Sequence, residues 1–176
     1  MDAREARHQI ETVDSDDSER RAERLSEASA HRNWSRSTMV VGTAASLLLD
    51  DLKAAWIYGI FASTVITAAD FCAVQVAGAL RLAGVDDERA SPDSVEDLLR
   101  LAQVEGVISS ELHARLVELH DRAQQYRHSP SWVIDRRLDD HLEECALLGE
   151  SDPLRADAKS ALLLALDLSR LDELNR

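Results

Sequence analysis

Two side chains able to do acid–base and anion chemistry stand close together in the stretch RAQQYRHSP, where Arg122 and His128 are six positions apart and Pro130 closes the run. An imidazole titrates near neutral pH and can take or give a proton. A guanidinium presents a planar fork of donors to a phosphate or a carboxylate. The same stretch also reads as a polar helix end. His113, His120 and Arg127 recur every seven residues and so share one side of a helix, either as part of a site or as a polar flank beside the core stripe. Tyr126 ends that stripe. Asp121, seven residues before His128, lies on the histidine's face and could orient its ring.

Local charge singles out the same region. The chain carries 20 basic and 33 acidic residues, a net charge of -13, which repels polyanions in general and confines any nucleic-acid site to a local patch. From His113 to Arg137, arginines 115, 122, 127, 136 and 137 face only Glu118, Asp121 and Asp135. An anionic ligand is least repelled there. Lys53 and Lys159 are the only lysines, so nearly all the positive charge is guanidinium.

Other site types find little support. The chain has no Gly-rich phosphate loop, CxxC, HExxH or GxSxG. Its one Glu-x-x-His, Glu5 to His8, lacks the second copy a di-iron bundle needs. His141 and Glu144 read as a solvated charged face, and no cofactor or metal site is read from the sequence. Cys72 and Cys145 fall on apolar helical stripes, as buried free thiols do. Asp70 interrupts an apolar helix and needs a partner if it is buried.

The elements that must position these residues are helical. Apolar residues make up 45% of the 176, mostly Leu, Ala and Val, with few aromatics, Gly or Pro, which favours helices over a sheet. The expected fold is all-α, an antiparallel bundle of five to six helices. Residues 1–20 read as a disordered acidic tail and 21–38 as a short helix or linker anchored by Leu25. Residues 39–150 read as the bundle, and 151–176 as a final helix packing on it or on a dimer partner. Met39–Trp56 and a second helix ending near Leu82 form a central antiparallel pair about a Tyr58-Gly59 turn. A short helix from Asp93, with Pro92 placed just after Ser91, precedes the one that carries the motif. That helix is capped by Ser109 or Ser110 and buries Leu112, Leu116, Leu119, Ala123 and Tyr126. A fifth helix is marked by Ile134, Leu138, Leu142, Cys145 and Leu148, and a sixth starts at Asp152-Pro153. Leu162, Leu163, Leu164 and Leu166 widen the sixth helix's apolar surface, as a dimer face or as deeper burial. The apolar run Ala54–Ala69 is 16 residues, short of the roughly 18 to 20 of a membrane span, and reads as buried core. With no apolar h-region at its start, the chain is expected in the cytoplasm.

The order of apolar helix, "YG" turn, "FASTVITAADFCAVQVAGALRLAGV", acidic loop, short helix and "GVISSELHARLVELHDRAQQYRHSP" resembles HEPN domains, over about residues 40 to 148. These helical bundles are found in many prokaryotic toxin and defence proteins. Members often end a long helix with R-x(4–6)-H, a spacing that Arg122 and His128 match. Ala123 stands where the family often has a polar residue, and Pro130 where one subgroup has Tyr. The resemblance implies a dimeric, metal-independent endoribonuclease in which the ribose 2′-hydroxyl attacks. His128 would act as base or acid, and Arg122 would stabilise the phosphorane. On an ideal helix the two side chains stand about 120° apart, so a homodimer would bring the pairs together. RNA and an antitoxin or other protein are the partners so implied. A catalytically inactive assembly module, or a HEPN domain that only binds nucleic acid, is the alternative reading. A bundle that holds a small ligand between Ala-rich helices is a third.

Overall fold

The computed structural model describes residues 3–34, 42–127, 143 and 152–170, with side chains from residue 16 onward. Six helices appear among them: α1 (Ala3–Ser29), α2 (Thr43–Tyr58), α3 (Phe61–Leu82), α4 (Val95–Val104), α5 (Ser110–Arg127) and α6 (Pro153–Leu168). The fold is an all-α bundle, and no strand occurs among the described residues. The helix expected over Ile134 to Leu148 lies outside them, as do His128, Pro130, Arg136, Arg137, His141, Glu144 and Cys145.

At the centre is α3, packed against α2, α4, α5 and α6. Val65, Ala68, Phe71, Cys72, Val76 and Leu80 are buried on it, as are the small residues Ala69 and Gly78. By length and composition α3 could cross a membrane, but half of its most apolar window is buried inside the bundle. Packing therefore accounts for its apolarity.

The turn from α2 into α3 follows from one glycine. Gly59 adopts φ 72°, ψ 25°, a left-handed conformation that costs a residue with a Cβ about 1–2 kcal/mol. Its N–H donates to the Trp56 carbonyl at 3.0 Å and the Ile60 N–H to the Ala55 carbonyl at 2.9 Å, closing α2 in a Schellman pattern. The expected Tyr58-Gly59 turn is present. The sequence places the start of α4 at Asp93, but the helix begins at Val95. Ser94 is the residue in extended geometry whose Oγ accepts from the Asp97 N–H at 3.1 Å, so Ser94 is the cap and Pro92 stays in the loop.

The N-terminal region departs most from expectation. A tail to residue 20 and a separate short helix are expected, whereas one helix runs from Ala3 to Ser29. That run contains neither Gly nor Pro and is rich in Ala, Glu and Arg, which cost a helix little. Leu25 does not anchor it, being 42% exposed; Ala28 is buried instead. Polar contacts do the rest. The Trp56 indole N–H donates to the Arg24 carbonyl at 3.0 Å, and Arg24 Nε donates to the Ile57 carbonyl at 2.8 Å. The Arg24 guanidinium lies against Gly59, where an added Cβ would sit 3.2 Å from Cζ. Glu27 meets Arg155 at 3.0 Å and Lys159, both on α6.

Most of the leucines that widen α6 are buried within the chain. Leu162, Leu164 and Leu166 are buried together with Ala158, Ala161, Ala165 and Leu168, and Leu163 is half-buried. Asp152 caps the helix, accepting from the Arg155 N–H at 3.0 Å, with Pro153 in the first turn.

Two predictions follow from these contacts. Gly59→Ala should lower the unfolding free energy by about 1–2 kcal/mol in urea melts, because the left-handed conformation is lost to strain and Arg24 must also shift. Hydrogen bonding from Lys159, then from Arg155, holds the Glu27 carboxyl below its usual range. A depressed carboxylate contributes stability that is present above the ordinary carboxylate range and is lost as pH falls through the folded value. Glu27→Gln should therefore lower Tm at neutral pH, and the difference from wild type should close in acid.

Candidate functional site

The stripe that sets α5 into the core is the expected one. Leu112, Leu116, Leu119 and Ala123 are buried and Tyr126 packs beside them. Ser109 caps the helix, its Oγ accepting from the Leu112 N–H at 3.2 Å. With that stripe facing inward, the polar residues of α5 divide into two flanks and an outer face.

One flank turns toward α6 and holds Arg122. Its Nε lies 3.5 Å from Asp157 Oδ2, and its Nη1 donates to Gln125 Oε1 at 3.0 Å. The Tyr126 hydroxyl donates to the same Asp157 Oδ2 at 2.7 Å. Both members of the ion pair are largely withdrawn from water, with side chains 21% and 17% exposed. A cavity of about 330 Å³ opens beside them between α3, α5 and α6, with Val65, Leu119, Ala161 and Leu164 as its apolar part and Arg115, Glu118, Arg122, Asp157 and Ser160 as its polar part.

The opposite flank carries His120 and Arg127. Arg127 pairs with Asp70 of α3, with side chains 27% and 48% exposed. Asp70 thus has the partner its apolar surroundings call for, at the edge of the bundle and not in its core. His120 Nε2 lies 3.3 Å from Gln124 Nε2, a contact within one turn. Asp121 is exposed on the outer face, in a shallow groove of about 470 Å³ with His113 and Glu118, which Arg122 and Gln125 also reach.

Of the residues singled out by the sequence, Arg122 and Tyr126 are brought together, both on Asp157. Arg127 and His120 stand on the other side of the helix. His128 lies outside the described residues. Asp157 is the residue that sequence reading missed. Its spacing of four and three to Ala161 and Leu164 puts it on an apolar stripe, where a lone carboxylate signals a buried partner.

Other chemistries have little to work with among the described residues. No three of His, Cys, Asp and Glu group as metal ligands there. Burial pushes the Cys72 thiol up, which keeps it protonated and unsuited to nucleophilic attack. No protein-family model, curated protein or solved structure matches the chain.

The two ion pairs should differ in strength. A double-mutant cycle on Arg127 and Asp70 should give a coupling of at most about 1 kcal/mol, as for pairs open to solvent. The cycle on Arg122 and Asp157, measured by the same urea melts, should give the larger value.

Proposed function

We propose that this chain is a cytoplasmic HEPN-like bundle with an RNA-directed role, acting as a homodimer and cleaving RNA without a metal ion. The observation that carries this reading is the state of Arg122. Six residues before His128, it is largely withdrawn from water at the wall of a cavity and flanked by Asp157 and Gln125. A cation already oriented in a poorly hydrated site stabilises developing phosphorane charge more than a solvated one does. His128 supplies the proton transfer, since imidazole is the group whose protonation changes near neutral pH. The 2′-hydroxyl is the nucleophile, which is why no metal is called on. Pairing of two copies would bring the Arg122 and His128 of each chain to one locus, as would a backbone freed from helical angles before Pro130; either offsets the roughly 120° between them on an ideal helix. A toxin or defence setting, with an antitoxin or other protein as partner, accords with that activity.

A second reading is a catalytically silent module that binds nucleic acid or a protein partner. It draws on the pairing of Arg122 with Asp157 and of Arg127 with Asp70, which leaves both guanidiniums partly neutralised before any ligand arrives. The purified chain incubated with mixed RNA in EDTA separates the two. Cleavage by the wild type, lowered at least about a hundredfold by His128→Ala and by Arg122→Ala, is the expected result. RNA left intact by the wild type, or cut equally by both variants, removes the nuclease reading and leaves the binding module. A sedimentation measurement giving a strict monomer would remove the shared site.

A further inference from the structure

We propose that Asp157 of α6 is a positioning residue for Arg122, fixing the guanidinium beside the cavity so that its remaining N–H groups meet a phosphate. The proposal rests on the RNA-directed reading of the site and extends it to a helix that lies outside the HEPN-like stretch.

A guanidinium carries five N–H donors. Asp157 faces the Nε edge and Gln125 takes one donor of Nη1, and no other protein partner of Arg122 occurs among the described residues. Three donors are thus without a partner among the described residues, in a side chain already held by Gln125 and Asp157. Asp157 is itself held in place, since its Oδ2 accepts from Tyr126 at 2.7 Å. Tyr126 and Arg122 are four residues apart on α5 and so share one face, and a single carboxylate oxygen sits against both. The backbone under Asp157 is fixed as well, because Ala158, Ala161 and Leu162 are buried.

These contacts have a cost that a mere strut between helices does not explain. A carboxylate beside a phosphate-binding cation weakens its pull on an anion. What it gives in return is orientation: the rotamer freedom of Arg122 is lost when the chain folds and not when the ligand binds. Arg115 adds a second guanidinium to the same cavity wall, over the apolar Val65 and Leu164.

The sign of the Asp157→Asn effect is therefore diagnostic. If charge alone mattered, removing a negative charge next to Arg122 would bind RNA more tightly and cleave no slower. If Asp157 orients Arg122, cleavage slows although the local charge has become more favourable. Tyr126→Phe is the second variant: it removes the hydroxyl's hydrogen bond to the carboxylate but keeps its charge, and it spares the fold should Asp157→Asn fail to assemble. For the full-length chain we expect kcat on an RNA oligonucleotide to fall about 10- to 100-fold in each variant with KM changed less than about threefold. Restoration towards wild type is expected for Asp157→Glu.

Inorganic phosphate provides the readout that needs no cleavage. Its titration should move the Arg122 Nε–Hε signal in proton–nitrogen correlation spectra of the wild type, assigned by its loss in Arg122→Lys, and should fail to move it in either variant. Variants that cleave as fast as wild type overturn the proposal. If the wild type does not cleave RNA, the nuclease reading fails by itself and the phosphate titration decides the positioning role. A shift in the wild type that is lost in both variants keeps it, and no shift, or one that persists in them, overturns it.

Discussion

Burial of α3 against four other helices is the constraint on which the rest of the structure depends. Phe71, Val76 and Leu80 are closed from water on it, together with the small residues Ala68, Ala69 and Gly78. A helix covered this way fixes the rotation of whatever lies on it, because each neighbour has one apolar stripe to bury. For α5 that stripe is Leu112, Leu116, Leu119 and Ala123. Once it faces inward, Arg122 can only turn toward α6 and Arg127 toward the side of α3 that carries Asp70. The candidate site is therefore a consequence of the core packing directly beneath it.

That geometry also redistributes the charge that the sequence concentrates on α5. Read along the chain, the arginines of this helix form one basic region. In space they separate, and helices remote in sequence bring a carboxylate to two of them, Asp157 to Arg122 and Asp70 to Arg127. Arg115 is exposed and has no ion pair among the described residues. Among the described arginines of α5, an approaching anion thus meets one without an ion pair and two that are partly committed. The local excess of positive charge is smaller than a count along the sequence implies.

What was legible in the sequence was whatever a periodic apolar pattern controls. The stripe of α5, the Gly59 turn, the Asp152-Pro153 start and the extent of α3 all follow from spacing or from one residue's backbone preference, and each lies where expected. The docking of α1 was hidden because it rests on few apolar side chains. Arg24, Glu27 and the Trp56 indole do the anchoring, and their partners lie 32 to 33 residues away on the α2 side and 128 away on α6. Asp157 was hidden for a related reason. A carboxylate on an apolar stripe signals that a partner exists, but nothing local names Arg122 and Tyr126 as that partner, and 31 residues separate Asp157 from Tyr126.

The overall charge of the chain gives this clamp its physical sense. At -13 the protein repels a polyanion once the two come within about a Debye length, roughly 8 Å in physiological salt, and beyond that distance the charges are largely screened. Long-range attraction therefore contributes little to any encounter with RNA, and few phosphate contacts mean little gain from counterion release. Recognition under those conditions has to come from short-range fit, in which a donor is useful only if it already points the right way. A carboxylate next to the key arginine would be a poor choice in a basic protein that gathers nucleic acid by charge. In an acidic one the field it subtracts is small beside the charge already present, while the orientation it adds is a contribution that net charge cannot supply.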